Sequence, residues 1–333
     1  MSGSLVQKQH LSLWMVIFLS TALMMLTSAA VAAPGGKKGK GPKPVGAVNS
    51  SNGGVYSPGE YGIIFKYITF QQDSMYRGSD EVSFMRPGMG QKPGKKVYEK
   101  RLDRYQLTLR TGIWKDFDVR LIVPYMDKEL KRQSFKASFS DDNAGFGDIT
   151  LFSRYRIMSQ KNKDPFNLAV GLGLEIPTGK TDVKDSSGMT PGYLQPGGGS
   201  WNPAVEVGAH KVTGPHWIGS HILYKMTNEG ELGDRDFERP DVFKYNFSYG
   251  YALAGSFDLQ LELNGEVKSK AKLDGKTMPN SGGHCLFITP GIHYKIMKGM
   301  HVGLALPVTV YRDLNGEQPS EDYRVVAKFA MKF

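Results

Sequence analysis

Over the last eleven residues, apolar and polar side chains alternate. Tyr323, Val325, Ala327, Phe329, Met331 and Phe333 form one apolar face. Arg324, Lys328 and Lys332 lie on the other, with Val326 and Ala330 between them. A period of two predicts a strand rather than a helix. The pattern recurs in 257–264, where Phe257, Leu259, Leu261 and Leu263 oppose Asp258, Gln260, Glu262 and Asn264. In 241–253, the aromatic stripe Phe243, Tyr245, Phe247, Tyr249 and Tyr251 opposes Lys244, Asn246 and Ser248. Twelve such strands are predicted, near 61–70, 102–112, 117–126, 147–158, 166–176, 201–212, 216–226, 241–254, 257–269, 284–296, 300–311 and 322–333. Their length suits a tilted crossing of a bilayer.

The connections alternate as well. Those at 113–116, 159–165, 213–215, 255–256 and 297–299 are short, and the rest are long, the longest being 71–101 and 177–200. Short periplasmic turns and long outer loops are the habit of outer-membrane barrels. The expected fold is all-β: a transmembrane antiparallel up-and-down β-barrel of about twelve strands, with both termini periplasmic. A soluble β-sandwich alternates similarly strand by strand. The connection rhythm favours the membrane, as do Tyr61, Trp114, Tyr125, Trp201, Trp217, Tyr294, Tyr311 and Tyr323 near strand ends, where an interfacial girdle would lie.

Ahead of the strands, Lys8 and His10 precede an apolar run at 11–26, followed by Ala30-Val31-Ala32. This reads as a signal peptide over 1–32, cleaved after Ala32. Residues 33–58 are rich in Gly, Pro, Lys and Ser, which predicts a disordered basic periplasmic segment. The barrel follows over 59–333. A mean hydropathy of −0.34 suits a soluble protein, but a barrel hides in such an average because only alternate residues face lipid. Of the net charge of +10, five charges (Lys8, Lys37, Lys38, Lys40 and Lys43) precede the first acid, Glu60. Lys8 belongs to the signal peptide, and the four lysines from Lys37 to Lys43 make a solubilising tail or a contact for peptidoglycan or anionic lipid. Export argues against a nucleic-acid partner. A single cysteine, Cys285, excludes an internal disulfide framework.

Four segments carry a resemblance. They are Gly145-Phe-Gly-Asp-Ile-Thr-Leu-Phe-Ser-Arg-Tyr155, Leu174-Glu-Ile-Pro-Thr-Gly-Lys180, Asp116-Phe-Asp-Val-Arg-Leu-Ile-Val-Pro-Tyr125 and Leu306-Pro-Val-Thr-Val-Tyr-Arg-Asp-Leu-Asn-Gly316. Together, over about 105–333, the chain resembles the MetA-pathway phenol-degradation family of outer-membrane transporters. The resemblance implies an outer-membrane barrel admitting small aromatic or other poorly polar compounds. The closing Phe333 resembles the signal by which barrel-assembly machinery recognises its clients. The prolines have an ordinary reading too: Pro124, Pro290 and Pro307 cannot donate to a ladder and should mark bulges or rims.

If the apolar stripes face lipid, the opposite residues line a pore. The candidate lining is Arg104, Arg110, Arg120, Arg154, Arg156, Lys244, Glu262, Lys295, Arg324 and Lys328, with further bases at Lys66, Lys225, Lys268 and Lys332. Acids on those faces are Asp118, Glu175, Glu206, Asp258, Glu262 and Glu266, and Ile64, Phe70, Ile122, Phe152 and Phe287 also point inward. The basic excess suggests a wall favouring anions. Asp258, Glu262 and Glu266 are expected to pair with Lys244 and Lys295 across neighbouring strands. The five arginines from Arg104 to Arg156 form the less compensated side. No nucleophile motif accompanies the histidines and no spacing suggests a metal, so neither enzyme activity nor a cofactor is expected. The loops 71–101 and 177–200 are long enough to fold inward as a constriction. Met75, Met85 and Met89 in the first suit gap-filling better than metal binding.

The expected function is a passive channel for small hydrophobic or aromatic, anionic solutes. The alternative is a structural or receptor barrel with a plugged lumen, acting through its outer loops. Expected partners are outer-membrane lipid and lipopolysaccharide and the assembly machinery.

Overall fold

The computed structural model describes residues 44–83, 96–134, 137–253 and 255–333. Twelve antiparallel strands close into a barrel. They are β1 (Tyr61–Gln72), β2 (Lys96–Trp114), β3 (Phe117–Gln133), β4 (Ile149–Met158), β5 (Asn167–Ile176) and β6 (Asn202–Thr213). The others are β7 (His216–Lys225), β8 (Val242–Ala252), β9 (Phe257–Lys268), β10 (Gly283–Met297), β11 (Met300–Ala305 with Val308–Ser320) and β12 (Arg324–Lys332). Each pairs with its neighbours in sequence, and β12 pairs with β1 at Phe65↔Phe329 to complete the ring. Closure is sealed at the very end of the chain: the Tyr61 amide donates to the Phe333 carbonyl at 2.8 Å, and the Phe333 amide returns to Tyr61 at 3.0 Å.

The distribution of polarity is inverted relative to a soluble protein. Leu172 is 66% exposed, Leu304 58% and Phe247 54%, whereas Asp118, Glu262, Asp258 and Arg154 are almost wholly buried. An apolar skin around a polar interior suits lipid, not water. This separates the barrel from a sandwich, whose inward faces would be the apolar ones. The expected girdle residues lie outside except Trp217. That ring turns inward, 6.3 Å from His210, and packs over Gly46 and Gly219.

Three features depart from the strand boundaries predicted above. First, β2 and β3 run on as a long two-stranded ribbon from Lys96 to Gln133, and Ser138–Phe146 folds back to pair with the end of β3. Charged residues on both faces of 127–133 carry no alternation, which hid the extension. Second, β11 is interrupted at Leu306 and Pro307. Proline offers no amide there, while the Leu306 amide still reaches the Pro290 carbonyl at 3.0 Å. Third, the loops have strands of their own. Ser74–Gly78 pairs with β11, and Glu229–Leu232, Arg235–Glu238, Lys272–Leu273 and Lys276–Thr277 form a small separate sheet. Met75 is buried, in keeping with gap-filling, and Met85 and Met89 lie outside the described residues. The barrel thus has a turn end, where β1 begins and β12 finishes, and a loop end.

Candidate functional site in the barrel lumen

Residues 33–58 were expected to be disordered outside the barrel. Residues 33–43 lie outside the described residues. From Pro44 onward the chain is held inside the lumen at the turn end, and this corrects the expectation. The segment enters beside β9, where the Val45 amide donates to Asp258 at 2.9 Å. It rises to Asn49 and Ser50, then descends past β6 and β3 to reach β1. The Val48 amide meets Gln260 at 3.0 Å, and the Val48 side chain packs with Ala305 and Val326.

Glu262 is the main anchor. Its two carboxylate oxygens accept the consecutive amides of Asn49 and Ser50, each at 2.9 Å, and the Ser50 hydroxyl at 2.6 Å. A carboxylate receiving adjacent N–H groups is a strong charge-assisted arrangement, on the order of 1.5–3 kcal/mol per bond. No base lies within ion-pair reach of Glu262 among the described residues. The expected pairing on β9 therefore holds only for its neighbours, Lys244 with Glu266 (3.0 Å) and Lys295 with Asp258 (2.6 Å).

The arginine wall is also differently used. It was expected to be the less compensated side. Instead Arg110 pairs with Asp118, Arg156 with Asp116 at 3.0 Å, and Arg120 and Arg154 both with Glu206 at 2.5 Å. His221 adds a third contact to Glu206 at 3.1 Å. Glu206 stands on β6, two strands from Arg154 on β4. The intervening Gly171 makes the reach possible, since a Cβ there would lie 2.8 Å from the Glu206 side chain. The same guanidiniums donate to the inserted segment. Arg154 binds the Asn52 carbonyl (2.5 Å) and the Ser51 hydroxyl (2.7 Å). Arg110 binds the Gly54 carbonyl, and Arg156 that of Val55. The segment crosses β6 backbone to backbone at Gly53, where any Cβ would fall 2.3 Å from the Gly208 carbonyl oxygen.

Above this floor lies a cavity of about 380 Å³. Its apolar lining includes Ile64, Ile68, Ile122, Phe152, Leu223 and Phe287. Four of the five residues expected to point inward are among its walls; Phe70 instead lies under the Arg324 guanidinium, 5.0 Å from the ring centre. Its cations are of two kinds. Lys244 and Arg324 are tied to acids, Lys244 to Glu266 and Arg324 to Glu321. Lys66, Arg104 and Lys328 have no carboxylate within 4.0 Å among the described residues. Lys66 donates to the Asn49 carbonyl and Lys328 to the Ala47 carbonyl, each at 2.8 Å. The Arg104 Nε is buried without a partner.

At the loop end, part of 177–200 folds inward, as its length allowed. Leu194 and Gln195 are buried. The Gln195 carbonyl accepts Lys128 at 2.7 Å, and the Tyr193 hydroxyl donates to the Arg101 carbonyl at 2.8 Å. Asp148 receives the amides of Gly179 (2.9 Å) and Gly198 (2.6 Å), pinning both ends of the loop. Asp185 is held by Arg132 at 2.6 Å. The residues that sequence reasoning missed, Asn49 to Gly54, carried only Ser, Asn and Gly as a signal. Such composition reads as loop whether or not something grips it.

A closed barrel with an apolar exterior and a filled, charged lumen defines an outer-membrane β-barrel. The chain belongs to the family described as Putative MetA-pathway of phenol degradation, which matches residues 100–329. It is similar in fold to an outer membrane channel from Pseudomonas putida F1, at 15% identity and a TM-score of 0.65, covering 86% of this chain and 100% of that one. The transport unit of the autotransporter AIDA-I from Escherichia coli aligns over 82% of this chain and 89% of its own, at 10% identity and a TM-score of 0.44. The CymD monoaromatic hydrocarbon channel covers 83% and 88%, at 8% identity and 0.40. These last two are too distant to bear on function. No curated protein matches the chain.

Proposed function

We propose that the protein is a passive outer-membrane channel for small hydrophobic or aromatic compounds, with anionic ones preferred. The observation that carries this reading is the cavity: apolar side chains on its walls, and three cations without carboxylate partners among the described residues. Pockets of this size hold small ligands. The family description, with its phenol degradation, and the fold shared with a named outer membrane channel support the same reading. In this reading the short turns and both termini face the periplasm, and residues 1–32 are removed on export. Phe333 serves assembly, and the basic residues ahead of Pro44 meet peptidoglycan or anionic headgroups. The inserted segment 45–56 is the gate through which a solute leaves toward the periplasm.

The test is solute entry into vesicles carrying the refolded protein. Phenol and benzoate should enter faster than a sugar of similar size. Equal exclusion of all three by a folded barrel would defeat the channel. One observation favours a second reading, a receptor-type barrel acting through its loops: the turn end of the lumen is occupied. In that case no solute passes and binding maps to the loop end.

A further inference from the structure

We propose that Arg104, Lys66 and Lys328 form a carboxylate-binding site whose occupation loosens the inserted segment. This rests on the channel reading and adds the trigger that opens it. Three observations meet here. Arg104 lines the cavity with its Nε buried and unpartnered. Lys66 is buried and feels three cations, Lys328, Arg104 and Lys244, against one acid, Glu262, which lies beyond ion-pair reach. Among the described residues, Lys66 and Lys328 satisfy themselves only with the backbone carbonyls of Asn49 and Ala47.

A neutral carbonyl is a weaker partner for an ammonium than a carboxylate is. An amphipathic monoanion entering from the loop end can lay its apolar body against Phe152, Ile122 and Ile64. Its carboxylate then meets the Arg104 fork, which suits bidentate binding. The same anion draws the two lysines off the segment. Asn49 and Ala47 thereby lose the contacts that hold the segment on the side of β1 and β12. Glu262 remains the anchor of the segment, which opens from it more often without leaving the lumen. The ligand class is a small aromatic or short aliphatic carboxylate. A neutral analogue of the same shape fills the cavity without competing for the lysines.

The experiment uses the protein in lipid nanodiscs, with benzoate and its neutral analogue benzyl alcohol as probes. Binding is measured by calorimetry, and amide hydrogen exchange is followed over residues 45–50. Benzoate should bind at least about tenfold more tightly than benzyl alcohol and accelerate exchange in 45–50. Arg104→Gln should remove that preference, and Arg104→Lys should keep part of it. The Arg104 side chain makes no hydrogen bond among the described residues, so the variants keep every hydrogen bond of the segment. Equal binding of the two probes, or benzoate binding unaltered by Arg104→Gln, would overturn the site. Tight benzoate binding without faster exchange would overturn the coupling. Vesicle entry of neutral phenol is measured in parallel. If phenol enters but benzoate is not preferred, this inference fails while the channel stands; if phenol is excluded too, the channel reading itself fails.

Discussion

The two halves of the lumen are built from similar residues and behave differently. At the turn end, most buried charges have a partner: Arg110 has Asp118, Arg120 and Arg154 share Glu206, and Glu262 has two backbone amides. The result is a polar core, as closely determined as an apolar one. A few residues toward the loop end, Lys66, Arg104 and Lys328 face a cavity where, among the described residues, they meet only carbonyls or nothing. Lysine and arginine in a barrel interior therefore have no single meaning. Beside a carboxylate of fitting reach they fasten structure; without one they are available to a ligand.

The largest expected effect breaks the filled half. Deleting residues 44–56 removes the floor, and single-channel conductance in planar bilayers should rise about tenfold or more while the strand ladders remain. Next comes Glu206→Gln, which leaves Arg120 and Arg154 buried without their countercharge. Breaking a buried pair this way costs about 3–5 kcal/mol, to be read from urea unfolding in lipid. The matching change in the open half, Lys244→Gln, removes a half-exposed ammonium whose partner Glu266 keeps Lys268 at 2.5 Å. It should cost less than about 1 kcal/mol. If the two variants destabilise equally, the contrast between the halves is wrong.

A smaller effect concerns the loop end. Burial pushes the Asp185 carboxyl upward, but the Ser187 hydroxyl, the Arg132 guanidinium and the Met189 and Ser187 amides outweigh it and hold the pKa at about 2. The folded value lies below the ordinary carboxylate range of about 3.9, so the stabilisation is complete above roughly pH 4. It is lost as pH falls through about 2. Fluorescence of Trp201, at the end of this loop, should change between pH 4 and pH 2, and Asp185→Asn should flatten that change.

Much of the barrel was legible because its cause is local. Lipid on one side and polar surroundings on the other impose a period of two, and Phe257 to Asn264 display it without help from the rest of the chain. The inward placement of Arg110, Arg154 and Lys328 followed from the same period. Their partners did not. Arg154 meets Glu206 by reaching over Gly171 on the strand between them, and no spacing along the chain encodes that. The segment from Val45 to Tyr56 was illegible for a related reason. Its order comes from acceptors and donors on β1, β2, β3, β4, β9 and β12, so read by itself it shows only small and polar residues with three scattered valines and a tyrosine. The pairing of Lys295 with Asp258 was foreseeable because the two strands are adjacent, and that of Glu262 failed because its partner precedes the barrel altogether.

That last fact sets an order of events. The segment precedes every strand that grips it, and its contact with Lys328 joins positions 281 residues apart. Contacts of such separation are slow to form, because loop-closure entropy is lost before they reward it. Val45 to Tyr56 thus leads the barrel out of the ribosome and is expected to be the last piece seated. Until Phe333 has met Tyr61 there is no enclosed lumen to receive it. A thiol placed at Ser50 would stay reactive throughout assembly and become protected only at the end, giving a clock for the finished molecule.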